Sequence, residues 1–260
     1  LWRYTGYLER ALRNVDVFIA MSEFSRDKHR EFGFPRDMEV VPYFLPDRAP
    51  APQLADGSPH DRPYFLFVGR LERLKGLDDV IPAFRSYTNA DLLIAGSGQH
   101  EAALKALAAG NPRVRFLGSV PNEQLGRYYQ HAIALLVPSV GFETFGIILI
   151  EAFSQGTPVI ARRIGPFPEI VSQAGAGELF DSERELVDAM ERLRTDSGRR
   201  ASQASAGRRA LAERWSEEAV VPRYLKVVAE AMNRRDARLR GVSPLQIRER
   251  NAGSSDVSLN

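Results

Sequence analysis

From residue 64 onward, short apolar runs alternate with segments of helical period, and few folds tolerate that pattern. Runs at 64–68 (YFLFV), 91–95 (DLLIA), 113–117, 134–137 and 158–161 predict strands. Segments at 77–87, 100–109, 121–131, about 145–155 and 168–173 predict the helices between them. Short strands that are mostly apolar must be buried on both faces. Such strands, joined through helices, make a parallel sheet covered on both sides. The expected fold class is therefore α/β, with a Rossmann-like parallel sheet. No sequence repeat with a period of about 20–50 residues is present.

The flanks differ. Residues 7–15 read as a helix end and 16–21 (DVFIAM) as a strand. Ser22 reads as the N-cap of a helix closing near Gly33, and 38–41 as a second strand stopped by Pro42. A unit this small cannot bury a core alone. Residues 46–63 contain five prolines and read as a linker. After the sheet, helices are expected over 186–193 and 199–215, and from Ser216 towards Arg240. Residues 241–260 are polar and expected to be disordered. The expected organisation is 1–45, linker 46–63, main domain 64–215, a returning helix 216–240 and a tail 241–260.

Composition excludes several classes. There is no cysteine, so disulfides and thiolate chemistry are out. His29, His60, His100 and His131 show no ligand spacing, and no metal site is expected. A formal net charge of +2 gives no case for nucleic acid. No apolar run approaches the roughly 18–20 residues of a spanning helix. The chain opens on Leu1 without an initiator Met, which suggests a fragment.

In an open α/β sheet, ligands sit beyond the carboxyl ends of the strands. Four of the expected strands end in small, flexible loops: Gly69 to Gly76, Gly96-Ser97-Gly98, Gly118-Ser119-Val120, and Pro138 to Gly146. The first carries Arg70 and Lys75, whose charges suit phosphate oxygens, though a solvated charged loop reads the same way. The spacing is neither that of a Walker A loop nor that of a dinucleotide fingerprint. Gly146 falls at the start of a helix whose free N–H groups suit an anion. Glu143 precedes it and Glu151 follows inside an apolar helix. Glu151 either faces water or is paired, and the vicinal hydroxyls of a sugar would pair it.

These residues resemble the C-terminal domain of family 4 glycosyltransferases, which have the two-domain GT-B architecture. Three blocks carry the resemblance: FVGRLERLKGLDDVI at 67–81; LLIAGSGQHEAAL at 92–104 with VRFLGSVPNEQL at 114–125; and LVPSVGFETFGIILIEAFSQGTPVIARRIGPFPEIV at 136–171. The last holds two glutamates, Glu143 and Glu151, with seven residues between them. Residues 14–34 resemble the last strand and helix of the family's N-terminal domain, and 38–45 the strand entering the linker.

The resemblance implies a retaining, metal-independent transfer from a nucleotide-diphosphate sugar to an acceptor hydroxyl. Arg70 and Lys75, beside Gly69, would bind the donor diphosphate. Glu143 would contact the donor sugar and support the transition state. Thr144 and the backbone amides of Phe145, Gly146 and Ile147 would meet sugar or phosphate, and Glu151 the ribose diol. Gly118, Ser119 and Val120 would border the base, and Gly96 and Gly98 would leave room for the donor. Glu169 opens a short helix and reads as structural or supporting. Pro166, where relatives have Gly, removes one backbone donor, and Thr144 restricts a loop that is often glycine there.

No cofactor is implied, since the donor (a UDP-, GDP- or ADP-sugar) is itself a substrate. The acceptor, a glycan, lipid or small molecule, would bind a separate N-terminal domain. Residues 1–45 would then be a remnant of that domain, and this chain alone would bind donor weakly and transfer nothing. Relatives imply a cytoplasmic location, with association at the inner membrane face left open. Other readings are a nucleotide-sugar-binding module without transfer activity, or another GT-B enzyme such as a sugar-nucleotide epimerase or a phosphorylase. A Rossmann oxidoreductase is the weakest.

Overall fold

The computed structural model of the protein describes residues 6, 10, 12–46 and 57–239. The tail read into 241–260 lies outside them, as do parts of the helix end at 7–15 and of the linker.

The main body is a six-stranded sheet. Its strands are β3 (Tyr64–Val68), β4 (Asp91–Ala95), β5 (Val114–Gly118), β6 (Leu135–Val137), β7 (Val159–Arg162) and β8 (Gly177–Phe180). Their order is β5-β4-β3-β6-β7-β8, and every pairing is parallel. The chain builds outward from β3 to β5, then returns to place β6 on the other side of β3. Beyond their carboxyl ends the chain paths from β3 and β6 lead to opposite halves of the sheet, the switch point at which such sheets bind ligands.

Period two along the strands explains the two cores. Phe65 and Phe67 face one side with Leu92, Ile94 and Phe84. Tyr64 and Leu66 face the other with Leu93, Phe153 and Phe167. Both sides of β3 are thus apolar, as a sheet covered on two faces requires.

The helices are α1 (Glu23–Glu31), α2 (Leu77–Val80), α3 (Glu101–Leu107), α4 (Asn122–His131), α5 (Ile147–Gln155), α6 (Phe167–Ala174), α7 (Glu183–Thr195), α8 (Ser197–Ala210) and α9 (Glu217–Leu239). Three expectations need correction. The helix read into 77–87 is two pieces, α2 and a 3-10 turn at Pro82–Arg85, because Pro82 has no N–H to continue the ladder. The helix expected near Phe145 starts at Ile147, because Gly146 is left-handed at φ +94°. The expected strands also omit β8, whose Glu178 carboxylate is held by Arg192 and Arg199. Between α8 and α9 the chain makes a π-helical turn, Leu211–Trp215.

In the front unit, β1 (Phe18–Ala20) and β2 (Met38–Val40) form a parallel pair connected through α1. Ser22 caps α1 as expected, accepting from the Ser25 N–H at 3.0 Å. The unit is tied to the main body: Leu45 N–H donates to the Trp215 carbonyl at 2.9 Å, and Arg223 of α9 donates to the Val40 carbonyl at 3.3 Å. Among the described residues no helix is long and apolar enough to cross a membrane.

Candidate functional site

Two glycines let loops at the strand ends pack closely: Gly76 joins the loops after β3 and β6, and Gly96 those after β3 and β4. Gly76, at φ +73°, lies against the Pro138 carbonyl, where any Cβ would collide. One turn away, Val140 N–H donates to the Leu74 carbonyl at 2.9 Å. Gly96, at φ +140°, lies against the Gly69 carbonyl in the same way. Arg162, at the end of β7, braces the β6 loop by donating to the Pro138 carbonyl at 3.0 Å and pairing with Asp79 of α2 at 2.7 Å.

This framework brings Lys75 Nζ to 2.5 Å from Glu143 Oε1, and the Ser139 hydroxyl donates to the same oxygen at 3.3 Å. Lys75 and Glu143 are both a little over a quarter exposed, so the pair faces the crevice without being sealed off. Ser139 is buried. α5 begins four residues after Glu143, and the N–H groups at its head carry partial positive charge. Arg70 is arranged differently. Its side chain is 80% exposed and pairs with Glu72 of its own loop at 2.6 Å.

The remaining predicted residues fall on neighbouring loops. Ser119 and Ser97 place their hydroxyls 3.2 Å apart, which joins the Gly96–Gly98 and Gly118–Val120 turns. A Cβ on Gly96 or Gly98 would run into the Gly69 or Leu71 carbonyl, so both glycines let the β3 and β4 loops pack closely. Glu151 is paired to protein, accepting from the Tyr129 hydroxyl at 3.4 Å. Burial, together with the Glu151 carboxylate, pushes the Tyr129 phenol well above its ordinary pKa, so it stays a donor at neutral pH. Phe145 is buried against Trp215 and Tyr43, and Ile147 is exposed at the head of α5. Behind Phe145 lies a cavity of about 300 Å³ lined by Met21, Pro42, Glu169, Trp215 and Arg223 among others. Among the described residues no three His, Asp or Glu side chains are grouped to hold a metal ion.

Several contributors have no local signature in the sequence. Ser139 acts on Glu143 within its own loop, and Arg162 acts on residues in other elements. Glu169 accepts the N–H groups of Glu23 and Phe24, both at 3.1 Å, and so fastens the first turn of α1 from 145 and 146 residues away. Only the strand-end positions of Ser139 and Arg162 pointed towards the site.

Residues 54–210 match the family model for glycosyl transferases, group 1. The chain is 35% identical over 192 residues to the D-inositol 3-phosphate glycosyltransferase of Xylanimonas cellulosilytica, covering 70% of this chain and 46% of that protein. It spans about half the length of the curated relatives it matches. Among solved structures, sucrose-phosphate synthase from Thermosynechococcus elongatus superposes with a TM-score of 0.73 at 25% identity, covering 86% of this chain and 61% of that one. Anabaena HepE in complex with UDP and glucose superposes with a TM-score of 0.73 at 18% identity, over 86% of this chain and 66% of the other.

Proposed function

Because this chain belongs to the group 1 glycosyl transferases, we propose that it supplies the donor-binding half of an enzyme that moves a sugar from a nucleotide diphosphate to an acceptor hydroxyl. The observation that carries this reading is the meeting of Lys75 with Glu143 at 2.5 Å where the β3 and β6 loops come together. A diphosphate in this crevice would lie between a fixed ammonium and the first turn of α5. Arg70 would leave Glu72 to take a second set of phosphate oxygens. As the bond from sugar to phosphate breaks, negative charge grows on the leaving diphosphate, and preorganised positive groups stabilise that charge. Glu143, with Ser139 and Lys75 fixing its orientation, would face the sugar.

The finer points belong to the same proposal. Glu151 would accept the ribose hydroxyls, with Tyr129 steadying it, and Ser119 and Val120 would border the base. Charge neutralisation by Lys75, Arg70 and α5 supports metal-independent transfer, and retention of anomeric configuration follows the family resemblance. A UDP-, GDP- or ADP-sugar is the donor class; the HepE structure with UDP and glucose is of that class. The acceptor, a glycan, lipid or small molecule, would be bound by a domain of which residues 1–45 are part, with α9 returning to it, at a cytoplasmic site or the inner face of a membrane.

The test is a panel of UDP-, GDP- and ADP-sugars offered with glycan, lipid and polyol acceptors in the presence of EDTA, with products resolved by proton NMR. Transfer with the donor's anomeric configuration kept, in the enzyme carrying both halves, is the expected result. Inverted product, or activity abolished by EDTA and restored by Mg²⁺, would contradict it.

A further inference from the structure

The loop carrying Glu143 is gripped from outside the main sheet. The Phe24 ring meets the Phe142 ring edge-on, 5.1 Å between centroids, and Lys28 Nζ stands 5.6 Å from the same ring. The Ser22 hydroxyl donates to the Thr144 carbonyl at 2.9 Å. Tyr43 lies edge-on to Phe145 at 5.8 Å. The residues flanking Glu143 on both sides are therefore held by the front unit, while Glu143 itself is held by Lys75 and Ser139.

Ser22 is the most constrained of these contacts. It is 1% exposed, and its hydroxyl is used twice, accepting from Ser25 N–H and donating to the Thr144 carbonyl. Capping α1 needs only the acceptor. The hydroxyl proton is spent on the peptide one residue past Glu143. The helix cannot drift from this contact, because Glu169 fastens its first two N–H groups to α6.

From this geometry we propose that Ser22 is a positioning residue for Glu143, through which the front unit sets the sugar subsite. The proposal rests on the reading of Glu143 as the carboxylate facing the donor sugar. Ser22 does not touch the donor; it fixes the carbonyl from which the Glu143 loop hangs.

The experiment uses the whole chain and three variants. Ser22→Asp keeps an acceptor for the Ser25 N–H but has no proton for Thr144 at neutral pH. Ser22→Thr keeps both functions. Phe24→Ala removes the half-buried ring that meets Phe142. Hydrogen exchange is followed by mass spectrometry in peptides covering 140–150 and α1. Calorimetry compares UDP with UDP-glucose, GDP with GDP-mannose and ADP with ADP-glucose. In Ser22→Asp, exchange at 142–147 should rise about fivefold or more, the loss of one hydrogen bond, while α1 stays protected. The affinity for the sugar nucleotide should fall by more than the affinity for its diphosphate. Ser22→Thr should match wild type in both readouts, and Phe24→Ala should speed exchange in the same loop. Wild-type exchange at 142–147 in both folded Ser22→Asp and Phe24→Ala would overturn the proposal, and Phe24→Ala decides if Ser22→Asp does not fold. Wild-type protein that binds none of the diphosphates would instead sink the proposed function, and the exchange result would still judge the grip.

Discussion

The Lys75 ammonium and the Glu143 carboxylate, 68 residues apart in sequence, meet at 2.5 Å across the crevice between β3 and β6. Each is the other's counter-ion, so a diphosphate binding here would compete with Glu143 for the same cation. A Lys75→Ala chain should bind nucleotide diphosphates about tenfold or more weakly, the scale of one charge-assisted hydrogen bond. In the enzyme carrying both halves the transfer rate should fall with it, because the charge acts on both bound donor and transition state. Calorimetry paired with kinetics checks this, and unchanged constants would make Lys75 an ordinary surface residue.

Glu143→Gln keeps the shape and removes the charge. Lys75 is then released to the diphosphate, so nucleotide affinity should hold or rise slightly while turnover drops by at least about 100-fold, the scale of a lost electrostatic or acid-base contribution. The two effects separate when binding is measured calorimetrically and turnover from the same preparation. Equal loss in both would assign Glu143 to ground-state binding.

Gly76→Ala tests the frame beneath the site. The residue is left-handed at φ +73°, and an added Cβ would run into the Pro138 carbonyl. The β3 and β6 loops must part to admit it, at a cost of about 1–3 kcal/mol. Denaturant titration should show that loss, and diphosphate binding should weaken with it. Stability and binding equal to wild type would show that the close approach is dispensable.

At the opposite end of the sheet, Asp91 is buried with His60 at 2.8 Å, Arg62 at 3.1 Å and Arg113 at 3.4 Å. Burial pushes its pKa up, but the hydrogen bonds from His60 and Arg62, the Arg62 charge and the Arg113 contact pull it further down, to below the ordinary 3.8. A depressed folded pKa stabilises the protein fully above the unfolded value, and that contribution disappears as pH falls through the folded one. Asp91→Asn should therefore cost about 2–4 kcal/mol at pH 7 and flatten the acid limb below pH ~4 in a melting profile. An acid limb as steep as wild type would assign the pH dependence to other carboxylates.

Strand positions and the helix-covered sheet could be read from the sequence because burial on both faces leaves uninterrupted apolar runs such as 64–68. The residue pair at the centre of the crevice could be anticipated in type, since Lys75 and Glu143 both follow strand ends. Its partners could not. Whether Arg70 turns to Glu72 or inward depends on side-chain geometry, and the ties from Glu169 and Ser22 join elements more than 120 residues apart. The missed strand β8 has the same cause: Glu178 looks solvent-facing until Arg192 and Arg199 are folded onto it. Left-handed Gly146 moved the head of α5 by about a half-turn, which no apolar pattern records.

The most direct measurement is an amide NMR titration of this chain with UDP, GDP and ADP. The largest shifts should fall together in two stretches, 69–76 and 144–148, for at least one of the three. Shifts confined to the cavity behind Phe145, or to one of those stretches without the other, would contradict a diphosphate site built from both loops.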